Sequence, residues 1–333
     1  MTHPPIAARI AALALILFAS TSTITAVAGP VYVIQTVQYP TDLTFTQLLG
    51  INNAGTIAGF HGASIAQAFT LSLPNSYTNQ NFPSSSQSMA TAINGAGSIS
   101  GIYLDVAGTS HGYTKIGGTF TTVDAPGSVF NQALGINNAN TTVGYSSATD
   151  ATGATGQVAY SQSGAVFTYI NGLLPANQNS QAVGINNAGN VVGFYLPTAT
   201  TSIGFLDLGG TISTVDPFAS AFTQALGISN TGEIVGFYVD GGGVQHGYTD
   251  IGGVFASFDP VGSINTTITG VNDLGQIVGF YTDVNDNVIG FVGTPKAVPE
   301  PASIALLCVG LIGVAVARRR RTSTCPLTAR RRP

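Results

Sequence analysis

The stretch GINNAGNVVGF, Gly184 to Phe194, decides how this chain is read, because relatives of it stand at five other places. They are GINNAGTIAGF from Gly50, AINGAGSISGI from Ala92, GINNANTTVGY from Gly135, GISNTGEIVGF from Gly227 and GVNDLGQIVGF from Gly270. The residue before the first Asn or Ser marks each unit: Ile51, Ile93, Ile136, Ile185, Ile228 and Val271, at intervals of 42, 43, 49, 43 and 43 residues. The longer interval holds the extra small residues of SSATDATGATG, read as an insertion in a surface turn. A period of this length is the signature of a repeat architecture.

Each unit resolves into four short β-like runs with alternating or continuous apolar residues and no helical spacing, as in QAVGIN, VVGFY, IGFLDL and TISTV. Asn-Asn-Ala-Gly separates the first two runs and Gly-Gly, at 117–118, 209–210 and 252–253, separates the last two. Both supply the left-handed residues of tight hairpins. Each unit therefore predicts a four-stranded antiparallel meander, and six in tandem predict an all-β, six-bladed propeller. VYVIQTVQ near the start matches a fourth strand, while the last unit stops at VIGFVGT, a third strand. The N-terminal strand is expected to complete the last blade and close the ring, removing exposed sheet edges. The competing expectation is an open solenoid or a stack of sheets.

Charge divides the chain sharply. All eight arginines lie outside residues 29–297, and that region keeps thirteen carboxylates against Lys115 and Lys296. A phosphate backbone needs clustered cationic side chains, so nucleic acid is excluded as a partner. Both cysteines, Cys308 and Cys325, lie beyond this region, which is therefore free of disulfides and thiolate metal sites.

The two ends read as addresses. An apolar run from Ile10 to Ala19 leads to the small-x-small site Ala26-Val27-Ala28, so residues 1–28 are expected to be a cleaved signal peptide. At the other end VPEPASIALLCVGLIGVAVARRRR, Val298 to Arg321, joins a proline box to sixteen apolar or small residues, 302–317, and four arginines. Such a run is expected to be a transmembrane helix, with the arginines holding 322–333 in the cytoplasm and the repeats outside. This end closely resembles the PEP-CTERM sorting signal of Gram-negative bacteria. The resemblance implies recognition by an exosortase, with Pro299, Glu300 and Pro301 as the box and Arg318, Arg319, Arg320 and Arg321 as the stop-transfer element. It also implies an inner-membrane, single-pass stage before processing. Twelve residues follow the arginines, where the family usually ends almost at once.

The units over 31–293 also resemble HAF repeats, named for a His-Ala-Phe phrase followed by Ile-Asn-x-x-Gly-x-Val-x-Gly. The second phrase is clear in every unit, whereas the first is degenerate: QAF at 67–69, HGY at 111–113, VAY at 158–160, IGF at 203–205, HGY at 246–248 and IGF at 289–291. That family implies export and no assigned chemistry.

Little in the repeats points to catalysis. A polar residue recurring in several units fits a structural role, since an active site is needed once. Asp124, Asp216 and Asp259 share the loop between units, Asp105, Asp240 and Asp283 share the second turn, and His111 and His246 share one repeat position. No nucleophile elbow, phosphate loop or zinc-binding His-Glu-x-x-His is present. Glu233 is the one Glu of 29–297 and has no marked carboxylate partner for glycoside hydrolysis. Asp283-Val284-Asn285-Asp286-Asn287 resembles the start of a calcium loop without its glycine and closing Glu, and reads better as a hairpin tip. Tyr103, Tyr195, Tyr238 and Tyr281 offer a sugar-stacking surface if exposed. No cofactor is expected. The sequence predicts an exported, non-enzymatic surface or matrix protein, structural or adhesive, with exopolysaccharide as the expected partner, as in a biofilm. The alternatives are a specific glycan-binding propeller and a carbohydrate-active enzyme.

Overall fold

The computed structural model describes residues 30–149, 155–170 and 179–296. The proposed leader, the sorting box, the apolar run 302–317 and the tail 322–333 lie outside these residues. The six repeats form six four-stranded antiparallel sheets arranged in a ring, a six-bladed β-propeller. The first blade runs Thr46–Ile51, Thr56–His61, Gln67–Ser72 and Ser76–Asn79. The sixth joins Ser263–Val271, Ile277–Asp283 and Val288–Pro295 to the N-terminal strand Tyr32–Val37, which pairs antiparallel with Val288–Pro295 in the register Tyr32 to Pro295. Ring closure by the first strand is as the sequence predicts, and the open array is ruled out.

The phrase explains the geometry. In the first blade Asn52 N–H bonds the Thr56 carbonyl, Gly55 N–H returns to the Asn52 carbonyl, and Gly55 has φ +76°. That is a bulged three-residue turn needing one left-handed residue. The third blade places Asn140 there instead, at φ +59°, the non-glycine residue type that tolerates this region best. The insertion of the third unit lengthens two strands, to Thr142–Thr149 and Thr155–Ser163, and its tip lies outside the described residues.

Every blade repeats one cross-strand pair. The glycine of each Val-Gly-Phe phrase lies opposite an aromatic of the third strand: Gly59 with Phe69, Gly101 with Tyr113, Gly144 with Tyr160, Gly193 with Phe205, Gly236 with Tyr248 and Gly279 with Phe291. These aromatics are at most 1% exposed. A Cβ on Gly101 would fall 2.3 Å from the Tyr113 ring, so the glycine makes the space that the ring fills. The aromatic is also the constant last letter of the degenerate QAF, HGY, VAY and IGF phrases. Burying each such ring contributes roughly 1.5–3 kcal/mol.

Strand direction gives the ring two unlike faces. One, the amide face, carries the Asn hairpins and the Gly-Gly hairpins. The other, the loop face, carries the second turns and the connections between blades. Both ends of the described chain meet at the amide face, where Lys296 N–H bonds the Val31 carbonyl at 2.7 Å and Pro295 lies beside Gly275 of the last Asn hairpin.

Candidate functional site

The first strands surround the ring axis at very close range. A Cβ on Gly184 would lie 3.2 Å from Gly227 Cα, one on Gly227 3.1 Å from Gly270 Cα, one on Gly270 3.1 Å from Gly50 Cα, and one on Gly50 2.9 Å from Ala92 Cα. The recurrent glycine before Ile-Asn is therefore a close-approach residue between neighbouring blades.

The following Asn turns that approach into a clasp. Asn137 Oδ1 accepts from Ala139 N–H and Thr141 N–H, both at 3.0 Å, shaping its own hairpin, while its Nδ2 donates to the Asn186 carbonyl of the next blade at 3.2 Å. Asn52, Asn94 and Asn186 repeat this toward Asn94, Asn137 and Ser229, and Asn272 closes the circle onto the Asn52 carbonyl at 3.0 Å. Ser229 has no amide to donate, so the joint between blades five and six lacks this bond; its hydroxyl accepts from Glu233 N–H at 3.1 Å. A second, exposed circle lies outside it: Gly95, Asn138, Asn187, Asn230 and Asp273 each donate a backbone N–H to the side chain of the next unit. Burial raises the Asp273 carboxyl, but donors from Asn230 and Asn53 outweigh it and hold the group below its ordinary value.

Inside the first strands runs an axial cavity of about 570 Å³, within the range of small-molecule sites. Its amide end is formed by the Asn circles, and its waist includes Leu49, Leu134, Val183 and Leu226. Toward the loop face it is lined by Gln47, Gln181, Gln224 and Thr267 with Phe194, Phe237 and Phe280. Thr91 and Thr269 also line it, but their hydroxyls donate to the Ala133 and Leu48 carbonyls of the next blade, both at 2.7 Å. No side chain lining this cavity titrates near neutrality. Amides donate and accept at once and Phe supplies apolar ring surface, so the lining, which holds no carboxyl, imidazole, thiol or amine side chain, suits a neutral, hydroxyl-bearing ligand.

The sequence-predicted polar positions lie elsewhere. His111 sits on the loop face between two carboxylates, Nδ1 2.7 Å from Asp124 and Nε2 3.5 Å from Asp105. His246 repeats this with Asp259 at 2.7 Å and Asp240 at 3.3 Å, diametrically across the ring. Burial works against the proton, but both aspartates outweigh it and hold each imidazole above its ordinary value. His61 differs: burial lowers it, and Asp42 is 3.7 Å away. These polar groups converge within one blade, where second turn, third-strand start and outgoing loop meet. Among the described residues no group of three or more His, Cys, Asp or Glu is arranged to hold a metal.

Glu233 is 8% exposed, does not line the axial cavity, and accepts from the Tyr32 hydroxyl at 3.4 Å. Burial pushes its carboxyl up to about 7. Asp283 Oδ1 accepts from Asn285 N–H at 2.8 Å and Asn287 N–H at 2.9 Å, the same turn that Asp105 and Asp240 make, so the calcium-like phrase is a hairpin tip. Tyr103, Tyr195 and Tyr281 are buried, and Tyr103 is stacked at 3.8 Å on Phe82, so these tyrosines form inter-strand core.

The partner of the closing strand ends at Pro295, directly before the remaining sequence signature. Residues 297–321 match the PEP-CTERM protein-sorting motif. The PEP-CTERM motif implies export, a membrane-anchored sorting signal and recognition by an exosortase. Its match stops short of the repeats, whose likeness to the HAF phrases rests on the residues alone. No curated protein matches the chain. Among solved structures, a mutant of the Aleuria aurantia lectin in complex with Fucα1-6GlcNAc is 13% identical, over 78% of this chain and 98% of that one, with a TM-score of 0.46. AofleA from Arthrobotrys oligospora is 10% identical over 81% and 91%, with a TM-score of 0.46. YCF48 bound to D1 peptide is 10% identical over 79% and 97%, with a TM-score of 0.42. At these values the likeness says nothing of what this chain binds.

Proposed function

We propose that the chain is a non-enzymatic component of the bacterial surface or extracellular matrix, structural or adhesive and associated with exopolysaccharide. Residues 1–28 serve as the leader, 29–297 form the working domain, and Pro299, Glu300 and Pro301 with Arg318 to Arg321 direct sorting and release by an exosortase. The observation that carries this reading is the PEP-CTERM motif placed immediately after Val288–Pro295, the strand on which the ring closes. Its test is the intact mass and C-terminal sequence of the protein from its native envelope. An end near Pro301 fits release into the matrix; retention of Cys325 and the last arginines contradicts processing.

A second reading, a specific glycan-binding propeller, is favoured by the amide and Phe lining of the axial cavity. Calorimetric titration of the mature protein against neutral polysaccharides is expected to give one saturable isotherm, abolished by a Gln181→Leu and Gln224→Leu pair. Featureless heats across the panel would sink it. The absence of titratable groups from that lining also speaks against a carbohydrate-active enzyme at this cavity.

A further inference from the structure

We infer that the propeller, while its tail is attached, stands on the membrane with its amide face toward the bilayer and its loop face outward. The inference rests on the reading of 302–317 as the membrane segment. Both chain ends leave from the amide face: Tyr32 pairs with Pro295, and Lys296 is bonded to Val31. Five residues, 297–301, separate Lys296 from the apolar run. Fully extended they reach about 18 Å. Strands of six to eight residues add roughly 20–27 Å before the loop face is reached. The amide face is thus confined near the headgroups and the loop face is not.

Charge supports the same orientation. The aspartates of the second turns and inter-blade loops place eight of the twelve described carboxylates on the loop face, while Lys115 and Lys296 both lie at the amide face. The other four carboxylates share the amide face with these lysines, so anionic headgroups repel that face far less than the loop face. One consequence concerns the axial cavity: its Asn end faces the bilayer, and its Gln47, Gln181 and Gln224 end stays open to large molecules outside.

The arrangement that competes is edge-on, with blade six down. Ala139, on the amide face of blade three and so farthest from the tail, separates the two. The test uses the full chain with Cys308→Ser and Cys325→Ser, expressed in a host without an exosortase and recovered in carbonate-washed membranes. Retention in that fraction reads the anchor independently of orientation. Ala139→Cys and Val129→Cys, exposed on the amide and loop faces of blade three, are then labelled with a large polyethylene-glycol maleimide. Ala139→Cys is expected to react at least ten-fold more slowly in membranes and within about two-fold of Val129→Cys after detergent extraction. Equal rates in membranes, a slower Val129→Cys, or a difference that persists in detergent overturns the orientation.

Discussion

The side-chain amide of Asn137 spans two blades: its oxygen holds its own hairpin through Thr141 N–H at 3.0 Å, and its nitrogen holds the Asn186 carbonyl at 3.2 Å. Turn formation and ring assembly therefore depend on the same buried group, 7% exposed. Asn137→Ala is expected to cost about 2–4 kcal/mol, because it strands two N–H groups and one carbonyl. Urea unfolding checks this, and an unchanged midpoint would remove the clasp from the account.

Ser229 interrupts the same circle. Five equivalent positions already accommodate Asn, so Ser229→Asn should restore a donor to the Asn272 carbonyl. A gain of about 1 kcal/mol is expected by the same measurement. Loss of stability would mean that this joint has relaxed around the smaller residue.

Gly227→Ala puts a methyl 3.0 Å from the Thr269 carbonyl oxygen and 3.1 Å from Gly270 Cα, both backbone atoms. Overpacking of this kind costs about 1–3 kcal/mol. The same change at Gly117, where nothing lies within 4 Å but φ is +57°, probes strain without crowding. Denaturant midpoints for the two variants, with a crystal structure of each, distinguish the causes.

The two Asp-His-Asp clusters give a pH dependence of known sign. Each histidine binds its proton more tightly folded than unfolded. Their contribution is complete below about pH 6.5, the ordinary imidazole value, and is lost as pH rises through the higher folded-state value. The melting temperature is expected to fall from pH 6 to pH 9, and the His111→Gln, His246→Gln pair to flatten that part of the profile.

Glu233 titrates in the same direction for a different reason. Its folded value of about 7 exceeds its unfolded one because burial disfavours the carboxylate. Its favourable contribution is present when it is protonated and disappears as pH rises toward 7 and beyond. Glu233→Gln, which keeps a partner for Tyr32, should raise the melting temperature more at pH 8 than at pH 5. An equal effect at both values would show that the carboxyl is well solvated.

Much of the fold was legible because the repeat phrase encodes local needs: a left-handed residue at Gly55, paired glycines at 117–118, an aromatic at Tyr113. Ring closure was legible too, since a fourth-strand pattern stands alone at one end and a third-strand pattern at the other. The clasp was not, because Asn52 read as a turn former and its second bond reaches a residue one full period away. Gln181 and Gln224 stand 43 positions apart in two strands, and only curvature of six sheets about an axis brings them to one cavity. The carboxylates beside His111 lie 6 and 13 positions away along the chain, distances that become short only when turn and loop share one face.

The bond between Tyr32–Val37 and Val288–Pro295 also sets a timetable. A chain threaded outward from its N-terminus delivers the closing strand first and its partner last, so five blades can be complete while the sixth waits with an unpaired edge. Completion of the ring then coincides with arrival of the residues just before the sorting motif. The finished ring is in that sense a receipt for full delivery, issued only when the sorting motif has come within reach.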